Sequence, residues 1–247
     1  MRHQKILCCA LIAAATGFSE APSQTDTVHL LLERSRSTQF ISRPPDTTEV
    51  WIGENAVVVG TGTENILFRY DLNRLFFLRP SRGVYYESGL DSREQEEQPA
   101  DTSIHAKGWE YTPLYDWTVE DMKEEKRLQG YACHHYVARG EADYSERTLD
   151  LWVTRESPIR LDRYNDRRFY SHIPGDPRSE ELLKAFPDLY TSVIVSSQEK
   201  LVPAIAPEGT IGRRIILIER KQPPPGVFDV PGTFKRLETY DEYLDAR

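Results

Sequence analysis

The chain has 247 residues, 39% of them hydrophobic and 28% charged, with a formal net charge of −8. That length carries one or two domains with a core of their own, and no linker separates two. The acidic balance argues against nucleic acid or an anionic membrane surface as the main partner.

The chain begins with Arg2 and Lys5, an apolar run from Ile6 to Ala15, and small residues through Gly17 and Ser19. Charge, then apolar run, then small residues is the order of an export signal. The run is too short for a spanning helix, which needs roughly 20 residues. Residues 1–19 are therefore expected to be a signal peptide, cleaved near Gly17 or Ser19, and residues 20–26 a polar lead-in. The product is expected to be periplasmic or secreted, with no integral membrane segment once the signal is removed. Losing Arg2 and Lys5 leaves 29 basic against 39 acidic residues, or −10. Cys8 and Cys9 leave with the signal, so Cys133 stands alone and no internal disulfide forms. Cys133 is expected to be a small buried apolar residue.

Val28, Leu30 and Leu32 alternate with His29, Leu31 and Glu33, the period of a half-buried strand. From Glu49 to Glu87, β-branched and aromatic runs are broken by Gly53-Glu54-Asn55, Gly60-Thr61-Gly62, Asp71-Leu72-Asn73-Arg74 and Pro80-Ser81-Arg82-Gly83. Turns at that spacing predict an antiparallel meander. Ser88 to Asp101 is acidic and reads as a solvated loop. Asp116 to Met122 alternates as a further strand. Gln129 to Thr154 then predicts two paired strands around a polar turn, Gly140 to Glu146. Tyr131, Cys133, His135 and Val137 fall on one face, and Ala132, His134, Tyr136 and Ala138 on the other. These two strands are expected at the centre of the sheet.

At Ser157 the alternation is lost, and residues 157–200 read as a helical insertion. Asp176 is the expected helix cap, with Pro177 at the first helical position and Ser179-Glu180-Glu181 following. Asp188 to Ser197 suits a second helix, although Val193-Ile194-Val195 also suits a strand. Thr210 to Arg220 is a buried strand. Gln222-Pro223-Pro224-Pro225-Gly226 cannot pair in a sheet, and residues 227–236 close the domain. Residues 238–247 read as a charged tail. The domain thus runs over residues 27–237.

Catalytic motifs are missing. The chain has no Gly-x-Ser-x-Gly elbow, no phosphate-cradling glycine loop and no His-Glu-x-x-His. Cys133-His134-His135 puts alternate side chains on opposite faces of a strand, and His29, His105 and His172 show no ligand spacing around it. Glu120-Asp121 and Glu124-Glu125 are sequence neighbours, which does not set the separation of a hydrolytic pair. No catalytic residue, metal ligand or cofactor is assigned. The candidate ligand cleft is aromatic: Trp51, Tyr86, Trp117, Tyr131, Tyr136 and Trp152 lie on predicted strands. If several share one face, they line an apolar cleft with polar tips.

Four marks recur together. They are Trp51-Ile52-Gly53 before a valine-rich strand, Gly130-Tyr131-x-Cys133-x-x-Tyr136, Leu151-Trp152-Val153-Thr154, and Phe228-x-Val230-Pro231. In this order they resemble a family of exported bacterial proteins carrying a domain of unknown function, similar in fold to the LolA/LolB-type outer-membrane lipoprotein carriers. The resemblance implies a mainly β (α+β) fold, an unclosed antiparallel β half-barrel with a helical insertion packed on its concave side. In the carriers that space holds acyl chains. The function expected is that of a non-catalytic binding protein for a lipid, acyl chain or other amphiphile of the cell envelope. The alternative is an envelope protein-interaction module with no small ligand. A carrier should show a continuous apolar groove between sheet and helices; a scaffold should show that space filled.

Overall fold

The computed structural model describes residues 27–90, 114–203 and 206–246. The expected signal peptide, the polar lead-in and most of the acidic loop lie outside the described residues. Six strands come first: β1 (Val28–Thr38), β2 (Ser42–Ile52), β3 (Ala56–Gly60), β4 (Asn65–Arg69), β5 (Arg74–Arg79) and β6 (Val84–Gly89). Three longer strands follow: β7 (Asp116–Leu128), β8 (Tyr131–Ala142) and β9 (Ser145–Thr154). The helical part comprises α1 (Leu161–Tyr164), α2 (Arg167–Tyr170), α3 (Glu180–Ala185) and a 3-10 turn at Pro187–Thr191. The chain ends with β10 (Val193–Pro203), β11 (Gly209–Arg220), β12 (Lys235–Leu237) and α4 (Tyr240–Asp245).

The strands form one unclosed sheet in the order β12-β6-β5-β4-β3-β2-β1-β11-β10-β9-β8-β7. Every pair is antiparallel except β12 with β6. This is the mainly β, antiparallel half-barrel that the resemblance implies. The two strands of Gln129 to Thr154 are not central: β8 has only the edge strand β7 beyond it. The centre is β1, between β2 and β11, and the local pattern could not reveal the β11 pairing because the two strands are far apart in sequence. The β7–β8 turn is a two-residue hairpin, with Gln129 at φ 51° and Gly130 at φ 86°. Two positive φ angles match the twist of the flanking strands, and glycine takes the second without strain.

Both faces of the sheet are covered, each by a different part of the chain. On one face Leu30, Val50, Val59, Ile66 and Phe77 join Ile159, Tyr164, Phe169 and Ile173 of the helical insertion. Further along, Ala138, Leu149, Leu151 and Val153 pack against Tyr170, Leu182, Leu183, Phe186 and Leu189. On the opposite face, Trp51, Val58, Leu67, Phe76 and Leu78 lie under Val227, Phe228, Val230 and Phe234. The proline-rich stretch therefore leads into a strap across β2–β5. Arg69 donates to the Phe228 carbonyl at 3.3 Å, and Lys235 N–H to the Gly83 carbonyl at 2.8 Å.

Several expectations shift. The helical insertion ends at Ser192, and Val193 onward is strand β10, since β9 supplies a partner for it. The helix begins at Glu180, not Pro177. Its cap is Ser179, whose hydroxyl accepts from Leu182 N–H at 3.2 Å. Asp176 is taken up by two arginines instead. Residues 238–246 are more than a charged tail: α4 buries Tyr243 completely and packs Tyr240 edge-on against Phe77 and Tyr86.

Candidate functional site

Helix side chains pack over much of the sheet. At one end a cleft of 620 Å³ remains, between the α2–α3 segment and β9–β11. Its apolar walls are Tyr170, Ile173 and Pro174 on the helical side and Leu201 and Ile211 on the sheet. Ligand clefts generally run from about 300 to 1,000 Å³ with apolar walls and a few polar groups.

Three arginines of this cleft are paired with acids. Arg147, on β9, meets Glu199, on β10, through Nε at 2.8 Å and Nη2 at 2.7 Å. The Arg147 guanidinium also lies 5.1 Å from the Tyr115 ring and 5.5 Å from Trp117. At the rim, Arg167 pairs with Glu180. In the wall, Asp176 and Arg178 are 2% and 1% exposed and joined at 2.7 Å. Arg213 closes the network, donating to Asp176 and to the Tyr164 hydroxyl at 2.8 Å. Burial raises the Asp176 pKa, but the two guanidiniums outweigh it and hold the carboxyl below its ordinary value. Arg178 stacks 4.4 Å from the Tyr164 ring and 4.5 Å from Tyr170, which fixes the cleft wall. Gly175 sits in this wall at φ 74°, where a Cβ would meet Arg34 Cδ at 3.0 Å.

None of the six candidate aromatics lines this cleft. Trp51 is 4% exposed and lies under the strap, stacked on His29 at 4.2 Å. Tyr86 packs with Phe77 and Tyr240. Tyr131 lies beside the first core cluster. Trp152 stacks on His135 at 4.4 Å, with Lys126 Nζ 3.8 Å from its ring. Trp117 and Tyr136 pack against the second cluster, next to the cleft but not in its wall. The residues that do form it, Arg147, Glu199, Leu201 and Ile211, carry no sequence signal beyond strand alternation.

The tempting Cys133-His134-His135 resolves into structure. Cys133 is fully buried, and burial pushes its thiol pKa up, which leaves it unreactive. His135 Nδ1 hydrogen-bonds Glu124 at 3.0 Å; Asp150 lies 3.1 Å from Nε2, at ion-pair distance but not at a hydrogen-bond angle. No group of three metal-ligating side chains forms among the described residues.

The long edge strand β7 bears on the alternative reading. A bulge interrupts it between Asp121 and Glu125, with Lys123 at φ 57° and Asp121 accepting from Lys123 N–H at 2.8 Å. Charge and a bulge in an edge strand oppose the addition of a further strand.

No family model and no curated protein matches the chain. Among solved structures it is similar to PNGF-II, at 10% identity and a TM-score of 0.39, over 89% of this chain but 32% of that one. The chain therefore spans about a third of that protein's length. It is similar to a DUF1329 family protein from Desulfovibrio piger, at 9% identity and a TM-score of 0.31, over 84% and 91% of the two chains. It is likewise similar to a LolA superfamily protein from Nitrosomonas europaea, at 9% identity and a TM-score of 0.27, over 83% and 90%. At such low scores and identities, none of these likenesses bears on what the chain binds.

Proposed function

We propose that this is an exported, non-catalytic binding protein that holds an amphiphile of the cell envelope in the cleft between α2–α3 and β9–β11. The observation that carries this reading is the cleft itself, 620 Å³ with Ile173, Leu201 and Ile211 in its walls and charged pairs at its rim. Its size admits one acyl chain or a similar apolar body, not a bundle of chains. The shifted carboxylate of the site, Asp176, is locked between two arginines and not poised for proton transfer. Export is supported by the sequence of residues 1–19 alone. No helix among the described residues is long and apolar enough to cross a membrane.

The test is native mass spectrometry of protein isolated from its own envelope, paired with binding of the fluorescent amphiphile N-phenylnaphthylamine. Wild-type protein should bind the dye and carry a co-purified lipid. Leu201→Trp and Ile211→Trp, which fill the cleft, should weaken dye binding about tenfold or more. Dye binding equal in all three proteins, with no bound lipid, would refute the assignment.

A further inference from the structure

The cleft between α2–α3 and β9–β11 carries charged groups of both signs, and the groups that a bound head can touch decide which charge it bears. Three arginines and four acids line it. Each arginine is already held by an acid. Arg147 meets Glu199 at 2.7 Å, with the two side chains 20% and 12% exposed. Arg178 meets Asp176 at 2.7 Å, both almost wholly buried. Arg167 pairs with Glu180 at the open rim. The fourth acid is Glu181, half-buried in the first turn of α3. Its carboxylate has no hydrogen bond or ion pair among the described residues.

Two further arginines lie at the wall, and both are committed. Arg213 is 2% exposed and donates to Asp176, to the Tyr164 hydroxyl at 2.8 Å and to the Ile194 carbonyl at 3.3 Å. Arg34 lies against Gly175 and is held by Asp46 at 2.5 Å. With Arg213 counted, four basic groups balance four acids, so net charge does not select a ligand. Accessible contacts do. An anionic head entering the cleft would leave water without finding a free guanidinium. To reach Arg147 or Arg178 it would have to displace Glu199 or Asp176 and strand a buried carboxylate. The Arg167–Glu180 pair is open to water, where an ion contact is worth little. Glu181 alone offers unused acceptor oxygens, in the same lining as Ile173, Leu201 and Ile211.

Resting on the assignment of this cleft as an amphiphile site, we propose that it selects an apolar chain bearing a cationic amine head. The chain lies on Ile173, Leu201 and Ile211, and the ammonium donates to the Glu181 carboxylate. An ammonium has three N–H donors and no acceptor, so it matches the one charged group of the lining that still lacks a partner. A carboxylate head in the same place would meet Glu181 as a like charge. A charge-assisted hydrogen bond is a strong single contact, and at a half-buried position it separates an amine from a carboxylate of equal chain length about tenfold or more.

The test is displacement of N-phenylnaphthylamine from the chain, as isolated from its host, by dodecylamine and by dodecanoate at pH 7, each below its micellar concentration. From wild type, dodecylamine should displace the dye at about tenfold lower concentration than dodecanoate. Glu181→Gln, which keeps the size of the side chain, should bind the uncharged dye as wild type does and lose the preference. Glu54→Gln, at an exposed position in the β2–β3 turn, makes the same change in net charge and should keep it. The cleft assignment and the selection fail separately. Dye that does not bind, or that binds Leu201→Trp as it binds wild type, overturns both. Dye binding weakened by Leu201→Trp, with equal displacement by the two amphiphiles or with the preference retained in Glu181→Gln, overturns the selection alone. A preference for dodecanoate that Arg167→Gln abolishes also overturns it and places the head at the rim pair.

Discussion

Replacing Asp176 by asparagine removes one charge from the most buried ionic network of the described residues and leaves its shape. The Asp176 carboxylate accepts from Arg178 N–H at 3.1 Å, Nε at 2.7 Å and Nη2 at 2.7 Å, and from Arg213 Nη1. Arg178 and Arg213 are 1% and 2% exposed, so neither guanidinium can turn to water when its partner is neutralised. Breaking a buried pair in this way costs about 3–5 kcal/mol, because uncompensated charge stays inside. For a domain of this size, each kcal/mol lowers Tm by about 2–4 °C, so the variant should melt about 6–20 °C below wild type. The comparison is Arg155→Gln, which breaks a pair with Asp188 whose side chains are 64% and 51% exposed and should cost under about 1 kcal/mol. Calorimetry or circular dichroism at pH 7 reads both. The pH dependence gives a second check. The folded pKa of Asp176 is lowered, so its contribution is complete above the unfolded value of about 3.9 and is lost as pH falls through the folded value. The gap between wild type and Asp176→Asn should therefore narrow below about pH 4. If Asp176→Asn melts with Arg155→Gln, or the gap persists in acid, the network does not carry the wall of the cleft.

His172 should add a pH dependence of its own. Burial between Phe68 and Phe77 lowers its pKa, and its Nδ1 lies 2.7 Å from the Arg168 carbonyl. Its neutral form is the folded one, so stability should begin to fall as pH drops below about 6.5, and His172→Gln should flatten the urea-midpoint profile between about pH 6.5 and 5. Phe228 holds the strap over Trp51, and a Cβ on Gly53 would meet its ring at 3.1 Å. Phe228→Ala should cost about 1–3 kcal/mol, less than a core phenylalanine because the ring is partly exposed, and should open residues 222–234 to limited proteolysis ahead of the sheet.

Local pattern made most strands legible. The meander of β3 to β6 could be read because its turn residues are punctuated by Gly, Pro, Asn and Asp, and each strand pairs with its sequence neighbour. What stayed hidden depended on distant partners. The outer half of β2 contains Pro44 and Pro45, which speak against a strand; they are tolerated because that half has no partner on the β3 side. Val193 to Lys200 became strand and not helix because β9 offers a matching edge. The C-terminal residues became a buried helix because Tyr243 finds Phe77 and a hydrogen bond to Glu64. The cleft was illegible for the same reason. It lies where the helical insertion stops covering the sheet, and no residue spacing encodes that. The six candidate aromatics lie outside the lining of that cleft.

One device does appear twice and explains two of the histidines as well as two of the tryptophans. In β2, Glu49-Val50-Trp51 puts acid and indole on one face and valine in the core; in β9, Asp150-Leu151-Trp152 does the same. Directly across from each tryptophan, on the preceding strand of the sheet, stands a histidine: His29 opposite Trp51 and His135 opposite Trp152. The rings stack at 4.2 Å and 17° in one pair and 4.4 Å and 7° in the other. Each imidazole also lies between two carboxylates, one from the tryptophan strand and one from the strand on its other side. His29 meets Glu49 at 2.9 Å and Glu219 at 3.0 Å; His135 meets Asp150 at 3.1 Å and Glu124 at 3.0 Å. A histidine so placed ties three adjacent strands through side chains alone. Register is already specified by the buried set on the other face, where Leu30, Val50 and Leu151 are wholly buried. The stacked pair and its two carboxylate contacts add to that, since a one-residue slip would break all three together. The acid-apolar-tryptophan spacing opposite a histidine is therefore the sequence mark of a register lock. His135 of the Cys133-His134-His135 run belongs to that lock.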